Sequence, residues 1–183
     1  MTCIVGIEHE GGVTIGADSA SSNGYSIDVN ANRKLFRTGE FLVGFTSSWR
    51  MGQLLQYAMH PPSLDTWDVD RFMATTFVDR VRDTLKAGGF ATLEKSAESG
   101  GTFLVGVAGR LYSVYDDYQV AHTTRGYAAT GSGQAFAMGC LYQTRAYPAH
   151  TVEQRCRAAL SAAAELNPHV RPPFHIDTLE TAS

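Results

Sequence analysis

A threonine at the second position can combine in one residue two functions that acyl transfer needs. The small side chain after an initiator methionine permits removal of Met1, which would leave Thr2 with a free α-amine beside its own hydroxyl. The hydroxyl is a nucleophile, and an α-amine with an unperturbed pKa of about 7.7–8.0 can take its proton near neutral pH. A cation close by keeps such an amine neutral and stabilises the developing alkoxide. That cation needs a carboxylate to hold it and a rigid strand end to carry it. Asp18 closes the apolar run in IGADSAS, and Lys34 opens the next one in NANRKLF. Each signal alone is ordinary: many chains begin Met-Thr, Asp18 reads as a turn carboxylate, and Lys34 reads as a solvated amine. It is the joint order of the three that carries weight.

Such residues need strands to position them. Residues 2–7 are β-branched and apolar, Gly11-Gly12 makes a turn, and residues 13–17 form a second short strand. Residues 19–34 read as a loop with local structure of its own. Residues 35–37 and 41–45 flank Thr38-Gly39-Glu40, a hairpin signal. Met51, Leu54, Leu55 and Met59 repeat at helical spacing before Pro61-Pro62. A second helix is predicted over about residues 68–87, with Val69, Phe72, Met73, Phe77, Val81 and Leu85 on one face and Gly88-Gly89 as its stop. Residues 91–101 read as a loop.

Strands are predicted over residues 102–107, 110–115, 118–120 and 127–130, the last running into Gly131-Ser132-Gly133. A helix over residues 134–142 follows, then another that starts at Thr151, whose spacing to Gln154 is that of a capping box. Pro172-Pro173 leads into a final strand over residues 174–179. Blocks of strands alternating with pairs of helices predict an α+β domain in which two sheets pack face to face between helical layers.

Composition narrows the function classes. The 183 residues suit one domain with a substantial core. A net charge of -3 with scattered basic residues leaves no electrostatic footprint for nucleic acid. No apolar run is long enough to span a membrane, and Glu8 and Glu10 interrupt the start too early for a signal peptide. Cys3, Cys140 and Cys156 form no CxxC pair, and reduced thiols in a cytoplasmic protein are the simpler account. The histidines show no metal-ligand spacing, so no metal centre is expected. GSGQAF lacks the third glycine of a dinucleotide loop, and Cys3 reads as a buried strand residue.

The start MTCIVGI, the strand end IGAD, the lysine in NRKLF, the strand FLVGF, the hairpin TFLVGVAGRLYSV and the segment YAATGSG together resemble the proteasome β-subunit and HslV-like peptidase family. The resemblance runs from Thr2 to about Gln134. It implies a four-layer αββα sandwich, the N-terminal-nucleophile hydrolase fold, over residues 2–183. It also implies a threonine peptidase that cleaves polypeptide through an acyl-enzyme on Thr2. The implied catalytic set is Thr2, Asp18, Lys34 and Ser132, with the backbone N–H of Ser47 as oxyanion donor. Ser21, Asn32, Phe45 and Arg50 fall where relatives line a specificity pocket.

The family further implies stacked rings of this chain, six-fold in HslV-like proteins, and an AAA+ unfoldase partner. No cofactor is implied beyond a structural monovalent or divalent cation near the C-terminal turn. The chain departs from the family's pattern in two places. Thr46-Ser47-Ser48 stands for Ala-Gly-Gly, and Asn167 and Val170 stand where core proteasome subunits carry an Asp and a Ser. These departures keep open a catalytically inactive ring subunit of the same fold, and fold alone also admits a small-molecule amidase.

Overall fold

The computed structural model describes residues 2–181 apart from 24, 91, 95 and 96. The chain begins with β1 (Ile4–His9), β2 (Gly12–Ala17), a ribbon of β3 (Ala20–Ser22) and β4 (Ile27–Val29), then β5 (Leu35–Thr38) and β6 (Phe41–Phe45). A helical block follows, with α1 (Trp49–Tyr57), α2 (Val69–Phe72) and α3 (Val78–Ala87). Next come β7 (Thr92–Glu94), β8 (Ala97–Ser99), β9 (Phe103–Val107), β10 (Arg110–Val114), β11 (Val120–His122) and β12 (Tyr127–Thr130). The chain ends with α4 (Gln134–Thr144), α5 (Val152–Leu166) and β13 (His175–Glu180).

Two antiparallel sheets form the centre, one in the order β12-β1-β2-β13 and the other β11-β10-β9-β6-β5. Side chains alternate across each strand, and in the central strands β2, β6 and β9 both faces are buried. In β6 and β9, Phe41, Val43, Phe45, Phe103, Val105 and Val107 face α1–α3. Leu42 and Leu104, with Leu111 of β10 beside them, face the other sheet, where they meet Ile4, Val13 and Ile15. Cys3, Val5 and Ile7 turn away from that interface and pack on Leu141 of α4 and on Cys156, Ala159 and Leu160 of α5. Three stacked cores therefore separate four layers, helices outside and sheets inside. Gly44 lets the sheets approach closely, because a Cβ there would lie 2.7 Å from an Ile4 methyl and 2.8 Å from an Ile15 methyl.

The layered α+β expectation holds, with local differences. The helix predicted over residues 68–87 contains a π-helical turn at Met73–Phe77, which keeps Met73 and Phe77 fully buried. Residues 91–101, read as a loop, include the short β7–β8 hairpin, whose backbone pairing leaves no apolar periodicity to read. The strand expected at residues 118–120 begins later, because Tyr118 adopts φ 65° in a turn closed by its N–H to the Tyr115 carbonyl. Thr151 and Gln154 do form the capping box at the start of α5. No helix among the described residues is long and apolar enough to cross a membrane.

Candidate active site

Five strand ends meet at one end of the sandwich. The β1–β2 register pairs Ile4 with Ala17, so the residues just before β1 lie beside those just after β2, and the Asp18 N–H reaches the Cys3 carbonyl at 3.2 Å. The β1–β12 register pairs Ile4 with Thr130, which brings Gly131, Ser132 and Gly133 against Thr2. From the second sheet, β5 begins just after Lys34, and the Phe45 N–H donates to the Lys34 carbonyl at 2.9 Å. Lys34 thus belongs to one sheet and Asp18 to the other.

Their side chains meet across the interface. The Lys34 ammonium donates to Thr2 Oγ1 at 2.7 Å and to Asp18 Oδ1 at 2.8 Å. All three residues are buried, Thr2 to 3 %, Lys34 to 2 % and Asp18 to 0 % exposure. So enclosed a carboxylate needs donors on every lone pair. Asp18 Oδ1 also accepts from the Cys3 N–H at 3.0 Å, and Oδ2 accepts from the N–H groups of Ala20 at 3.0 Å and Arg171 at 3.2 Å. Burial holds the Lys34 pKa below its ordinary value, while Asp18 pulls it the other way. Burial also pushes the Cys3 thiol up to about 12, with Asp18 adding to the rise and Lys34 opposing it, so this thiol stays protonated beside the site.

Ser132 sits on the turn after β12, where its hydroxyl accepts from the Thr2 N–H at 3.2 Å. With Met1 still attached that nitrogen is an amide, and Met1 itself lies outside the described residues. Gly131 adopts φ 98°, and a Cβ there would lie 2.3 Å from the Thr2 carbonyl oxygen, so the turn can close on Thr2 only with glycine. The Asn167 side chain supports the same turn, donating to the Ser132 carbonyl at 2.8 Å.

Ser47 follows β6 at φ 69°, and the Ser48 N–H donates back to the Thr46 carbonyl at 2.8 Å. A bond of that span around a positive φ is a γ-turn, uncommon for a residue with a side chain. The Ser47 hydroxyl anchors it by accepting from the Thr102 N–H at 3.1 Å. No hydrogen bond among the described residues takes up the Ser47 N–H. Ser48 caps α1, its hydroxyl accepting from the Arg50 N–H. The Thr-Ser-Ser sequence therefore combines a clamped turn with a helix N-cap.

Thr2, Lys34 and Ser47 line one cavity of about 50 Å³, together with Ser21, Phe45 and Trp49. Asn32 is not part of it. It lines a neighbouring cavity of about 420 Å³, which shares the Phe45 and Trp49 rings as a wall. Arg50 is exposed on the first turn of α1 and lines neither. Trp49 was not anticipated as a site residue. Its ring packs edge-on against Phe45 at 5.6 Å, its indole N–H donates to the Ser21 hydroxyl at 3.1 Å, and Lys34 Nζ lies 5.8 Å from its centroid. Nothing in the sequence beyond its place before a helix marks it. Among the described residues no group of three or more His, Cys, Asp or Glu side chains could hold a metal ion.

No protein-family model matches the chain, and no curated protein matches it. Solved structures do. A Thiobacillus denitrificans BPH in complex with epoxomicin superimposes with a TM-score of 0.83 at 23 % identity, covering 99 % of this chain and all of that one. HslV from Trypanosoma brucei gives a TM-score of 0.68 at 16 % identity, with 97 % and 99 % covered. The Anbu complex from Pseudomonas aeruginosa, a helical assembly, gives 0.67 at 20 % identity, with 98 % and 81 % covered. The chain therefore has the four-layer proteasome-type fold of the N-terminal-nucleophile hydrolases.

Proposed function

We propose that the chain is a threonine endopeptidase subunit of a self-compartmentalising assembly, with Thr2 as its nucleophile. The observation that carries this reading is a buried ammonium 2.7 Å from a threonine hydroxyl and 2.8 Å from a carboxylate with no solvent exposure. A surface lysine has no reason to be so placed, since burying both charges is costly.

The chemistry starts with removal of whatever precedes Thr2. The freed amine, beside the Ser132 hydroxyl, takes the Thr2 hydroxyl proton as Oγ1 attacks the scissile carbonyl. Lys34 stabilises the alkoxide and disfavours protonation of the amine, and Asp18 holds Lys34 in place. The Ser47 N–H stabilises the tetrahedral oxyanion, a donor worth roughly 2.7–4 kcal/mol in such sites. The amine returns the proton to the leaving amine, and water then hydrolyses the Thr2 ester. A cavity of about 50 Å³ beside the nucleophile, walled by Phe45 and Trp49, favours small side chains at the cleaved bond.

The same reading makes the protein a cytoplasmic homo-oligomer of stacked rings, six-fold by likeness to HslV, fed with polypeptide by an AAA+ unfoldase. Exposed Tyr25, Tyr57, Trp67, Tyr142 and Leu166 are apolar surface for contacts between copies to cover. Intact mass and peptide hydrolysis, with Thr2→Ala beside the parent chain, test the proposal. Expected are a mature protein beginning at Thr2, turnover of short peptides, and loss of that turnover in Thr2→Ala. A chain from its native host that keeps Met1 and assembles without turnover would instead be an inactive ring subunit.

A further inference from the structure

Three carbonyl oxygens converge where α5 ends. Those of Ala164, Asn167 and Val170 point at one nitrogen, Arg171 Nη1, at 3.5, 3.3 and 2.8 Å. Ala164 lies in the last turn of α5, Asn167 is its extended C-cap, and Val170 follows the next turn, so the loop after the helix brings the three carbonyls together. The Ala164 carbonyl is among the last four of α5, which have no partner within the helix and carry its negative dipole end. A ring of backbone carbonyls is the donor set that hard cations take. Here the centre of the ring already holds a positive charge from the same chain. A metal ion between these oxygens would have to displace the guanidinium, because two cations cannot share the space.

The cage is joined to the candidate active site by backbone and side chain. The Arg171 N–H donates to Asp18 Oδ2 at 3.2 Å, and its carbonyl accepts from the Ser19 N–H at 2.9 Å. Asn167, whose carbonyl is in the cage, donates from its side chain to the Ser132 carbonyl at 2.8 Å. The Asn167 amide oxygen accepts from the His169 N–H at 2.9 Å and braces the intervening loop.

We infer that the Arg171 guanidinium is a built-in cation, filling a carbonyl cage that would otherwise take a metal ion, and that it positions Asp18 and Ser132 around Thr2. The resemblance to HslV-like proteins allowed a structural cation near this turn, and the residues present do not fit one while Arg171 is in place. The cage stands without the peptidase reading, whereas the positioning role rests on it.

The test uses the full chain with Arg171→Met, which keeps an apolar stem without the charge, and Arg171→Lys, which keeps a charge with three donors. Melting temperature is measured in choline chloride and in sodium, potassium, magnesium and calcium chlorides at equal ionic strength. The parent chain is expected to melt alike in all of them. Arg171→Met should melt lower in choline chloride and recover with at least one of the metal ions, and Arg171→Lys should show no such selectivity.

In peptide hydrolysis, Arg171→Met should lose about tenfold in kcat with KM nearly unchanged, as expected from a small misplacement of reacting groups. The metal ion that restores its melting temperature should restore kcat. A parent chain stabilised selectively by one metal ion would overturn the inference, as would an Arg171→Met chain that matches the parent in choline chloride or ignores every metal ion. Should Arg171→Met fail to fold, the salt series on the parent and on Arg171→Lys still decides. If the parent lacks turnover, the peptidase reading fails while the melting series still reports on the cage.

Discussion

Replacing Asp18 by asparagine removes one charge and one acceptor from a carboxylate with 0 % exposure. Its two oxygens take four donors: Lys34 and the Cys3 N–H on Oδ1, and the Ala20 and Arg171 N–H groups on Oδ2. The asparagine NH₂ must face one of these pairs. Facing the Oδ2 pair, it strands two backbone donors at about 1–3 kcal/mol each. Facing the Oδ1 pair, it meets a buried ammonium, and breaking a buried ion pair from one side costs about 3–5 kcal/mol. The first arrangement gives a loss of about 2–6 kcal/mol and the second about 3–5 kcal/mol, which for a chain of this size lowers Tm by roughly 4–24 °C.

Lys34→Met should cost less, because it leaves the carboxylate three backbone N–H donors. The double variant should be milder than the sum of the two single ones by at least about 1 kcal/mol, as for residues in direct contact. Urea and thermal unfolding at fixed protein concentration measure all three. An Asp18→Asn chain within about 1 kcal/mol of the parent would refute the reasoning, as would a larger loss in Lys34→Met.

Two further outcomes follow from the same geometry. Burial holds Lys34 below its ordinary 10.5, so between its folded value and 10.5 the unfolded chain binds more protons and stability from this group rises with pH. The Tm of the parent relative to Lys34→Met should therefore climb as the pH rises towards about 10.5, and a flat or falling difference would contradict it. Gly131→Ala places a Cβ against the Thr2 carbonyl at a positive φ, so it should cost at least about 2 kcal/mol in unfolding experiments and most of any peptide turnover. A neutral Gly131→Ala would show that the turn beside Thr2 is not closed as described.

Thr2, Asp18 and Lys34 were legible because each stands at the end of an apolar run, and strand ends are the easiest points to find in a sequence that alternates strands and turns. The layer order was legible for the same reason: runs such as FLVGF and IVGI are apolar on both faces, as strands between two layers must be. The β7–β8 hairpin and the π-helical turn were not, since backbone hydrogen bonding forms both without a side-chain pattern. Ser47 was expected only as a backbone donor. That its hydroxyl clamps the turn to Thr102 depends on a residue 55 positions away.

By itself the sequence determined which side chains lie near strand ends, and so which hydroxyl, carboxylate and amine were available for chemistry. Only the tertiary structure decided that they meet. Asp18 and Lys34 belong to different sheets, and their 2.8 Å contact exists because the sheets pack closely enough at glycines such as Gly44. It also decided what surrounds them: the Trp49 wall, the Asn167 support and the guanidinium of Arg171 inside a ring of carbonyls. Such contacts join residues far apart in the chain through single backbone atoms, and a carbonyl's direction is set by packing rather than by the residue that bears it.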